Sequence, residues 1–194
     1  MFTGIIKVTT KPIKMSKQDS SLAITFSNPR GWKLKKGESI NIDGICSTVS
    51  EVKGGRFSVF YMDETLRKTA LSGLLGSHIF NLEPSLRASD LLGGHLLTGH
   101  IDTPGTVEDI QKEGKSSVLN ISIPRKYLKY LIYKGSVAIN GVSLTVVSVG
   151  KSSFSASLIP YTISHTNLGD LKTGDKVNIE VDLIAKYLEK LHGA

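Results

Sequence analysis

Residues 39–49, SINIDGICSTV, and residues 136–146, SVAINGVSLTV, are two versions of one pattern. In each stretch an apolar run leads into a glycine, and a β-branched run follows. Runs of this kind are typical of two β-strands joined by a tight turn. Three residues recur at an offset of 97: Gly44, Thr48 and Val49 return as Gly141, Thr145 and Val146. The pattern indicates a duplicated β-module.

The duplication extends over most of the chain. At an offset of 95, Thr3-Gly4 returns as Thr98-Gly99 and Pro29-Arg30 as Pro124-Arg125. At an offset of 97 the matches include Thr65, Thr69 and Leu71 with Thr162, Thr166 and Leu168, and Asn81-Leu82-Glu83 with Asn178-Ile179-Glu180. Each half offers about six short strands separated by turns, enough for a small closed barrel. We expect an all-β protein of two tandem Greek-key six-stranded barrels, over residues 1–94 and 95–185.

Helix is expected in two places only. Residues 124–133 favour a short helix, and residues 182–192 place an apolar stripe on one helical face: Leu183, Ile184, Tyr187, Leu188 and Leu191. Asp182 is the expected N-cap and Gly193 the expected stop, so that residues 186–194 form the end of a C-terminal helix. A helix of about ten residues is marginal alone in water, so its stripe must pack on its own barrel or on another subunit.

Composition excludes several classes of protein. The 194 residues carry 24 Lys and Arg against 17 Asp and Glu, but the basic residues are spread out and no nucleic-acid-binding motif accompanies them. The single cysteine, Cys46, allows no internal disulfide, and no metal-ligand spacing is found. Neither a membrane-spanning run nor a secretory signal is present. We expect a cytoplasmic protein without metal, cofactor, nucleic-acid or membrane partner.

The paired turns carry the first candidate site residues. Cys46 and Ser143 hold equivalent positions, each two residues after a glycine and two before a threonine, so both side chains should leave the same face of their strands. A lone cysteine is often only a small buried hydrophobe, and that alternative stays open. Residues 93–100, GGHLLTGH, add two histidines, each either a hydrogen-bonded structural group or a catalyst.

Taken together these residues resemble the riboflavin synthase family, whose α-type members contain two lumazine-binding repeats. The stretches that carry the resemblance span nearly the whole chain: 1–6, 44–46, 64–67, 93–101, 133–135, 140–146, 158–160 and 177–180. It implies a dismutation of two 6,7-dimethyl-8-ribityllumazine molecules, in which a four-carbon unit is transferred to give riboflavin and 5-amino-6-(D-ribitylamino)uracil. No metal or organic cofactor is implied.

The resemblance also implies a homotrimer, with the reacting pair held between the N-terminal barrel of one subunit and the C-terminal barrel of its neighbour. It leaves association with a lumazine synthase open. The alternative is a non-catalytic carrier, because the related lumazine proteins bind lumazine or flavin as optical antennae. The positions linked to activity in the family are matched by Phe2, Cys46, His100, Ser143 and Asp182. The joint presence of the first four favours the enzyme.

The same resemblance assigns the substrate-binding residues. The N-terminal pocket is expected to contain Gly4, Ile5, Ile6, Cys46, Ser47, Thr48, Phe60, Tyr61, Met62, Asp63, Glu64 and Thr65. The C-terminal pocket is expected to contain Gly99, His100, Ile101, Lys134, Ser143, Leu144, Thr145, Ser157, Leu158, Ile159, Pro160, Tyr161 and Thr162. We expect His100 to act as a base, Cys46 or a hydroxyl to act as a nucleophile, and Glu64 to meet polar atoms of the ligand. Asn140 and Tyr161 depart from the family pattern.

Overall fold

The computed structural model describes residues 1–74 and 77–192, and its secondary structure is mostly β. The N-terminal half forms β1 (Val8–Thr10), β2 (Lys14–Gln18), β3 (Ser21–Ser27), β4 (Ser39–Ile42), β5 (Ile45–Lys53), β6 (Arg56–Tyr61) and β7 (Phe80–Pro84). The C-terminal half forms β8 (Thr103–Glu113), β9 (Ser116–Ser122), β10 (Ser136–Ile139), β11 (Val142–Val149), β12 (Ser153–Leu158) and β13 (Lys176–Val181). The α-helices are α1 (Asp63–Lys68), α2 (Pro160–His165) and α3 (Leu183–His192), and 3₁₀-helices cover Ala70–Gly73, Arg125–Tyr130 and Asn167–Asp170.

The C-terminal half is a closed barrel with the strand order β10-β11-β12-β9-β8-β13, all pairs antiparallel. After the hairpin-connected strands β10, β11 and β12, β13 returns to pair with β10, which is the Greek-key order. Closure leaves no strand edge open for aggregation. The predicted six-stranded barrel is therefore confirmed for this half.

The N-terminal half repeats this order with its first strand divided in two. β1 and β2 lie at the two ends of a seven-stranded sheet, β1-β7-β4-β5-β6-β3-β2. Pro12 lies between them and has no N–H to donate to a strand ladder. On the far side of the break, the Ile13 amide donates to the Thr25 carbonyl oxygen over 2.8 Å. Together β1 and β2 thus take the place that the long strand β8 has in the second barrel.

The helices agree with the sequence in part. Residues 182–192 form α3 as expected, and the Asp182 carboxylate accepts a hydrogen bond from the Ile184 amide (2.9 Å), as an N-cap does. Gly193 lies outside the described residues. The helix expected over residues 124–133 is a shorter 3₁₀-helix, Arg125–Tyr130. α1 and α2 were not predicted, because six residues are too few to show a helical period.

The apolar stripe of α3 stays open in the single chain. Ile184, Tyr187, Leu188 and Leu191 are each more than half exposed. The helix is held to the barrel by charged pairs, Lys186 with Asp102 (2.7 Å) and Lys129 with Glu189. The sequence left two packing partners open for this stripe, the barrel of the same chain and another subunit. The barrel of the same chain does not cover these four side chains.

Among the residues that the structure describes, none of the helices is long and apolar enough to cross a membrane. The same residues contain no cluster of three or more histidine, cysteine, aspartate or glutamate side chains that could hold a metal ion.

Equivalent residues of the two halves meet between the barrels. The amide of Phe2 donates to the carbonyl oxygen of Leu97 (2.9 Å), and the Leu97 amide donates to that of Phe2 (3.1 Å). Gly44 and Gly141 lie back to back, so that a Cβ on Gly141 would lie only 2.6 Å from the Gly44 nitrogen. Pairing of equivalent residues with each other is the mark of a two-fold axis. The duplicated halves are therefore related by an approximate two-fold axis through Phe2 and Leu97.

A buried polar network joins the barrels next to this axis. One oxygen of Asp43 accepts hydrogen bonds from the Asn81 amide (2.8 Å) and from the Asn167 side chain (2.9 Å). The Asn81 side chain donates to the Asn140 carbonyl oxygen (3.0 Å), and the Asn178 side chain donates to the Asp43 carbonyl oxygen (2.8 Å). Because buried amides without partners are costly, this network fixes the relative orientation of the barrels.

The network is asymmetric at two positions, Asp43 with its equivalent Asn140 and Asn167 with its equivalent Ala70, and the first of them generates a stability prediction. Asp43 and its equivalent Asn140 share a left-handed backbone, with φ of 49° and 47°. Burial raises the pKa of the Asp43 carboxyl, although His78, 2.7 Å from its second oxygen, opposes the shift. An acid whose folded-state pKa is raised costs no stability below its unfolded pKa. The cost grows as the pH rises from the unfolded to the folded pKa and is constant above it.

We therefore expect Asp43→Asn to raise the free energy of unfolding by about 1 kcal/mol at pH 8, with the gain disappearing toward pH 3. Asparagine keeps the acceptor for Asn81 and Asn167 without the buried charge. As a control, Asp43→Ala removes that acceptor and should cost about 2 kcal/mol at pH 3 and about 1 kcal/mol at pH 8, where it also removes the buried charge. Urea unfolding between pH 3 and pH 8 measures both. An Asp43→Asn protein less stable than the parent at pH 8 would contradict this reading of the network.

Candidate functional site

Strand alternation places Cys46 and Ser143 on the outer faces of their barrels. In β5 the Ser47 side chain is buried, whereas Cys46 is half-buried and Thr48 is exposed. β11 repeats the pattern, with Ser143 half-buried and Thr145 exposed. The predicted common direction of the Cys46 and Ser143 side chains is thus confirmed. The thiol and the hydroxyl lie at equivalent places on two equivalent surfaces.

The strand beside each motif adds exposed apolar side chains. Continuing the register of β5 with β6 places Met62 beside Cys46, and continuing that of β11 with β12 places Ile159 beside Ser143. Met62 and Ile159 are both more than half exposed, as is Phe60. Apolar surface around a few polar groups is typical of small-molecule sites. Each motif therefore lies in a surface suited to a flat, mostly apolar ligand.

A glycine loop from the opposite barrel packs against each motif. The Cys46 amide donates to the Gly99 carbonyl oxygen (2.8 Å), and the Ser143 amide donates to the Gly4 carbonyl oxygen (2.9 Å). A Cβ on Gly99 would lie 2.7 Å from the Cys46 nitrogen, and one on Gly4 would lie 2.6 Å from the Ser143 Cβ. Both glycines have positive φ, 79° and 77°. Only glycine fits such a close approach in this conformation.

This exchange corrects the predicted grouping of site residues. The sequence grouped residues 4–6 with Cys46 and residues 99–101 with Ser143, but the structure brings each loop to the other motif. Ile6 packs against the core of the second barrel, and Ile101 packs against the core of the first. The repeat frame aligns each loop with its own barrel, so residue spacing carries no sign of the exchange.

Two composite surfaces result. We call the outer face of β5 and β6 together with residues 99–101 the Cys46 surface, and the outer face of β11 and β12 together with residues 4–6 the Ser143 surface. His100 follows Gly99 and is exposed, so the Cys46 surface contains a thiol and an imidazole. The structure therefore brings Cys46 and His100, which the sequence placed in different pockets, to one surface.

Two buried glutamates, given no role by the sequence, hold the exchanged loops. Glu83 accepts hydrogen bonds from the Thr3 amide and hydroxyl (2.7 Å each) and from the Gly4 amide (3.1 Å). Glu180 makes the equivalent set with Thr98 (2.7 and 2.6 Å) and Gly99 (3.0 Å). Burial raises the pKa of both carboxyls, against the effect of these hydrogen bonds. Glu83 and Glu180 are equivalent residues of the two repeats, and this equivalence is the sequence signal from which they could have been identified.

Several predicted site residues turn their side chains into the interior: Phe2, Ser47, Tyr61, Leu144 and Leu158. The Ser47 and Tyr61 hydroxyls bond each other inside the first barrel (2.7 Å), and burial raises the pKa of the Tyr61 phenol. Phe2 is fully buried and packs with Cys46 in a small cluster on the pseudo-axis. The side chains of these five residues are therefore not presented to the outer surface, and Phe2 packs against Cys46.

His95, which the sequence left open as a structural group or a catalyst, contacts Ser143. Its Nδ1 lies 2.7 Å from the Ser143 Oγ, and its amide donates to the Thr3 carbonyl oxygen (3.2 Å). Its Nε2 is buried and has no hydrogen-bond partner among the described residues. Burial lowers the pKa of His95, with the charge of Asp182 opposing the shift, so the imidazole is neutral at pH 7. A neutral imidazole hydrogen-bonded to a hydroxyl can take its proton.

Lys134 and Asp182 lie at the margin of the Ser143 surface. The Lys134 amide donates to the Val146 carbonyl oxygen. Lys134 has a left-handed backbone, with a φ of 64°, whereas the equivalent residue of the first barrel is a glycine, Gly37. Left-handed backbone costs a residue with a side chain roughly 1 kcal/mol, a cost that is typical of functional positions. Asp182 is half-buried, caps α3 and acts on His95 through its charge.

The short helices carry the last predicted residues. Glu64, expected to meet the ligand, forms an exposed ion pair with Lys68 (2.6 Å), and this pair lowers the pKa of the Glu64 carboxyl. Asp63 pairs with Arg67 one residue earlier (2.7 Å). The remaining residues of the predicted C-terminal pocket lie at the start of α2 or close to it: Ser157, Pro160, Tyr161 and Thr162. Tyr161 is exposed. Thr65 is half-buried in α1.

Comparison with known proteins identifies the family. The model of the lumazine binding domain matches the chain twice, over residues 3–85 and 98–182. The riboflavin synthase of Actinobacillus pleuropneumoniae is 38% identical, over 98% of this chain and 89% of its own length. That of Bacillus subtilis is 35% identical, over 100% of this chain and 91% of its own length. That of Mycobacterium tuberculosis is 34% identical, over 98% of both. The chain belongs to the riboflavin synthase family. The resemblance stated from the sequence is thereby confirmed.

Solved structures agree with this family membership. A LumP structure in complex with riboflavin has a TM-score of 0.86 and 27% identity, and one in complex with 6,7-dimethyl-8-(1'-D-ribityl) lumazine has a TM-score of 0.82 and 28% identity. Each comparison covers 93% of this chain and 99% of the other. LumP, which was crystallised with riboflavin and with a lumazine, therefore has the same duplicated fold as this chain.

The loop exchange predicts an effect confined to one thiol. Gly99→Ala should push residues 98–100 away from Cys46 and speed alkylation of this single cysteine several-fold, because a thiol reacts according to its exposure. Gly4→Ala is the matched control, because Gly4 has the same left-handed backbone as Gly99 but its Cβ would crowd Ser143 and not Cys46. It should leave the alkylation rate near that of the parent. Iodoacetamide labelling followed by mass spectrometry, with thermal midpoints as a folding check, measures both. Faster labelling in Gly4→Ala alone would contradict the exchange.

Proposed function

We propose that the protein catalyses the riboflavin synthase reaction, converting two molecules of 6,7-dimethyl-8-ribityllumazine into riboflavin and 5-amino-6-(D-ribitylamino)uracil. One observation carries the proposal: the chain presents two equivalent surfaces, one with Cys46 and His100 and one with Ser143 and His95. Two like surfaces suit a reaction between two like molecules. Membership of the riboflavin synthase family supports this choice of molecule.

The side chains suit the two activations that the reaction requires. The C7 methyl group of one lumazine is acidic because its anion delocalises into the ring, and His100 is the exposed imidazole proposed to remove that proton. The other lumazine needs an oxygen or sulfur nucleophile at C7. Ser143 is proposed for this step because the neutral imidazole of His95 can take its hydroxyl proton. The four-carbon unit then passes from one ring system to the other.

Positioning is proposed to supply much of the acceleration, since holding two reactants together is worth effective molarities of about 10⁵–10⁸ M. Within one chain the buried Phe2–Leu97 bridge lies on the pseudo-axis that relates the two surfaces. We therefore propose that the Cys46 surface of one copy meets the Ser143 surface of another in a homotrimer. The open apolar stripe of α3 offers a contact for such an assembly.

A ligand carrier is the second candidate, favoured by the likeness to LumP structures with bound riboflavin and lumazine. A carrier needs a surface that fits the heterocycle but no hydroxyl–imidazole pair. The hydrogen bond between His95 and Ser143 therefore favours the enzyme. The proposed domain limits remain residues 1–94 and 95–185, with 186–194 as the helical end. Cytoplasmic location and association with a lumazine synthase stay predictions.

The decisive experiment is turnover without additives. Purified protein incubated with 6,7-dimethyl-8-ribityllumazine alone should form riboflavin, detected by absorbance and fluorescence, at one riboflavin per two substrate molecules consumed. Ser143→Ala should lower kcat far more than it raises the dissociation constant of the substrate, because the hydroxyl is used in the chemistry. Tight binding of the lumazine with no riboflavin formed would identify a carrier instead.

A further inference from the structure

A groove outside both reactive surfaces borders the first barrel. It lies between the loop that joins β3 to β4 and the segment that follows β7, and its volume is about 640 Å³. None of the residues that line it belongs to the Cys46 surface or to the Ser143 surface. Cavities of about 300–1,000 Å³ are the size that holds a small molecule. The groove is therefore a candidate binding site separate from the reactive groups.

Hydrogen bonds hold both walls of the groove. In the loop after β3 the Trp32 amide donates to the Pro29 carbonyl oxygen over 3.0 Å. On the opposite wall the Ser85 hydroxyl donates to the Ser39 carbonyl oxygen over 2.7 Å, and this bond ties the segment after β7 to the start of β4. Because the walls are formed before a ligand arrives, binding requires little ordering of the chain.

Four half-buried apolar side chains line the groove: Trp32, Leu34, Pro84 and Leu86. Trp32 and Leu34 also pack against the core of the first barrel, which fixes their position. A half-buried indole beside aliphatic side chains suits the face of a flat ring. The groove can thus hold an aromatic group.

Unpaired cations border these apolar side chains. Lys33 lines one wall and Arg87 lines the other, and both are exposed. Neither forms an ion pair with a residue that the structure describes. Residues 30–38, RGWKLKKGE, add charge of the same sign, with four basic residues against one acidic residue. Lysine and arginine both bind phosphate, arginine through two parallel hydrogen bonds. The groove therefore favours an anionic ligand.

The two carboxylates that line the groove are engaged by its own backbone. Glu38 accepts a hydrogen bond from the Lys35 amide (3.0 Å), and Asp90 accepts one from the Arg87 amide (2.8 Å). Each carboxylate thus closes a turn of the rim. They lower the positive charge of the groove but do not cancel it, since five basic residues lie within residues 30–38 and at position 87.

The cation at position 87 is not a requirement of the fold. In the repeat frame residues 85–90 correspond to residues 182–187, at the start of α3, so that Ile184 takes the place of Arg87. The second barrel has a groove at the equivalent place, lined in part by Ile184, Ala185 and Leu188 of α3. The segment that follows the last strand is therefore apolar in the second groove and basic in the first, which points to a ligand of the first groove alone.

We propose that the groove of the first barrel binds an aromatic phosphate monoester, with the ring against Trp32 and the phosphate between Lys33 and Arg87. The phosphate matches the cations on the two walls, and the ring matches the apolar side chains between them. The assignment is independent of the proposed function, because neither 6,7-dimethyl-8-ribityllumazine nor riboflavin carries a phosphate. It adds a ligand site outside the two reactive surfaces.

Titration with phenyl phosphate tests this assignment, because Trp32 is the single tryptophan of the chain and its fluorescence reports on the groove. We expect a saturable change with a dissociation constant on the order of 1 mM. Methyl phosphate has the charge without the ring, and benzyl alcohol has the ring without the charge. Both should bind at least about fivefold more weakly. Constant ionic strength throughout removes a general salt effect.

Removal of the two cations is the second arm of the test. K33Q/R87Q should weaken binding of phenyl phosphate about tenfold, because the charge-assisted hydrogen bonds are lost. K112Q/K115Q removes two exposed lysines of the second barrel and is the matched control, which should bind as the parent does. Both variants should keep the thermal midpoint of the parent and form riboflavin at its rate, since no substituted residue belongs to a reactive surface.

Three results would each overturn the inference: Trp32 fluorescence that does not respond to phenyl phosphate, methyl phosphate that binds as tightly as phenyl phosphate, or K33Q/R87Q that binds phenyl phosphate like the parent. Riboflavin formation judges the proposed function separately. A protein that makes riboflavin but does not bind phenyl phosphate in this groove keeps the function and loses this inference.

Discussion

Two main-chain hydrogen bonds, from Cys46 to Gly99 and from Ser143 to Gly4, are the constraint on which the rest of the structure depends. They hold each reactive strand against a loop that belongs to the other barrel. Both bonds need glycine, because the loops pass within 3 Å of the strand in a left-handed conformation. Glu83 and Glu180 fix the loops from behind. Neither surface would exist in a single barrel on its own.

Duplication provides the scaffold, and divergence of a few side chains provides the chemistry. The residues on the pseudo-axis stay paired with their own equivalents, Phe2 with Leu97 and Gly44 with Gly141, so the two surfaces keep the same shape. A thiol lies where the other surface has a hydroxyl. His95 is hydrogen-bonded to Ser143. One geometry can thus give two identical molecules different roles.

The sequence predicted what depends on local periodicity. Alternation of apolar and polar residues predicted the strands, equivalent positions in the repeat predicted the common direction of the Cys46 and Ser143 side chains, and the apolar stripe predicted α3. The loop exchange was missed because it depends on contacts such as Gly99 with Cys46, which spacing within one repeat cannot show. His95 was left undecided between a structural and a catalytic histidine, because its surroundings come from burial and from Ser143, 48 residues away in the sequence. The six-residue helices were too short to show a period.

The most direct test concerns pairing of the two surfaces between copies. His100→Ala and Ser143→Ala proteins, each expected to turn over slowly because it lacks one of the two proposed activating groups, are mixed, unfolded together and refolded. If the surfaces pair between copies, random assembly joins an intact Cys46 surface to an intact Ser143 surface at about a quarter of the sites, and riboflavin formation returns to roughly that fraction of the parent rate. A mixture no more active than the average of the two separate variants would contradict pairing of the surfaces between chains.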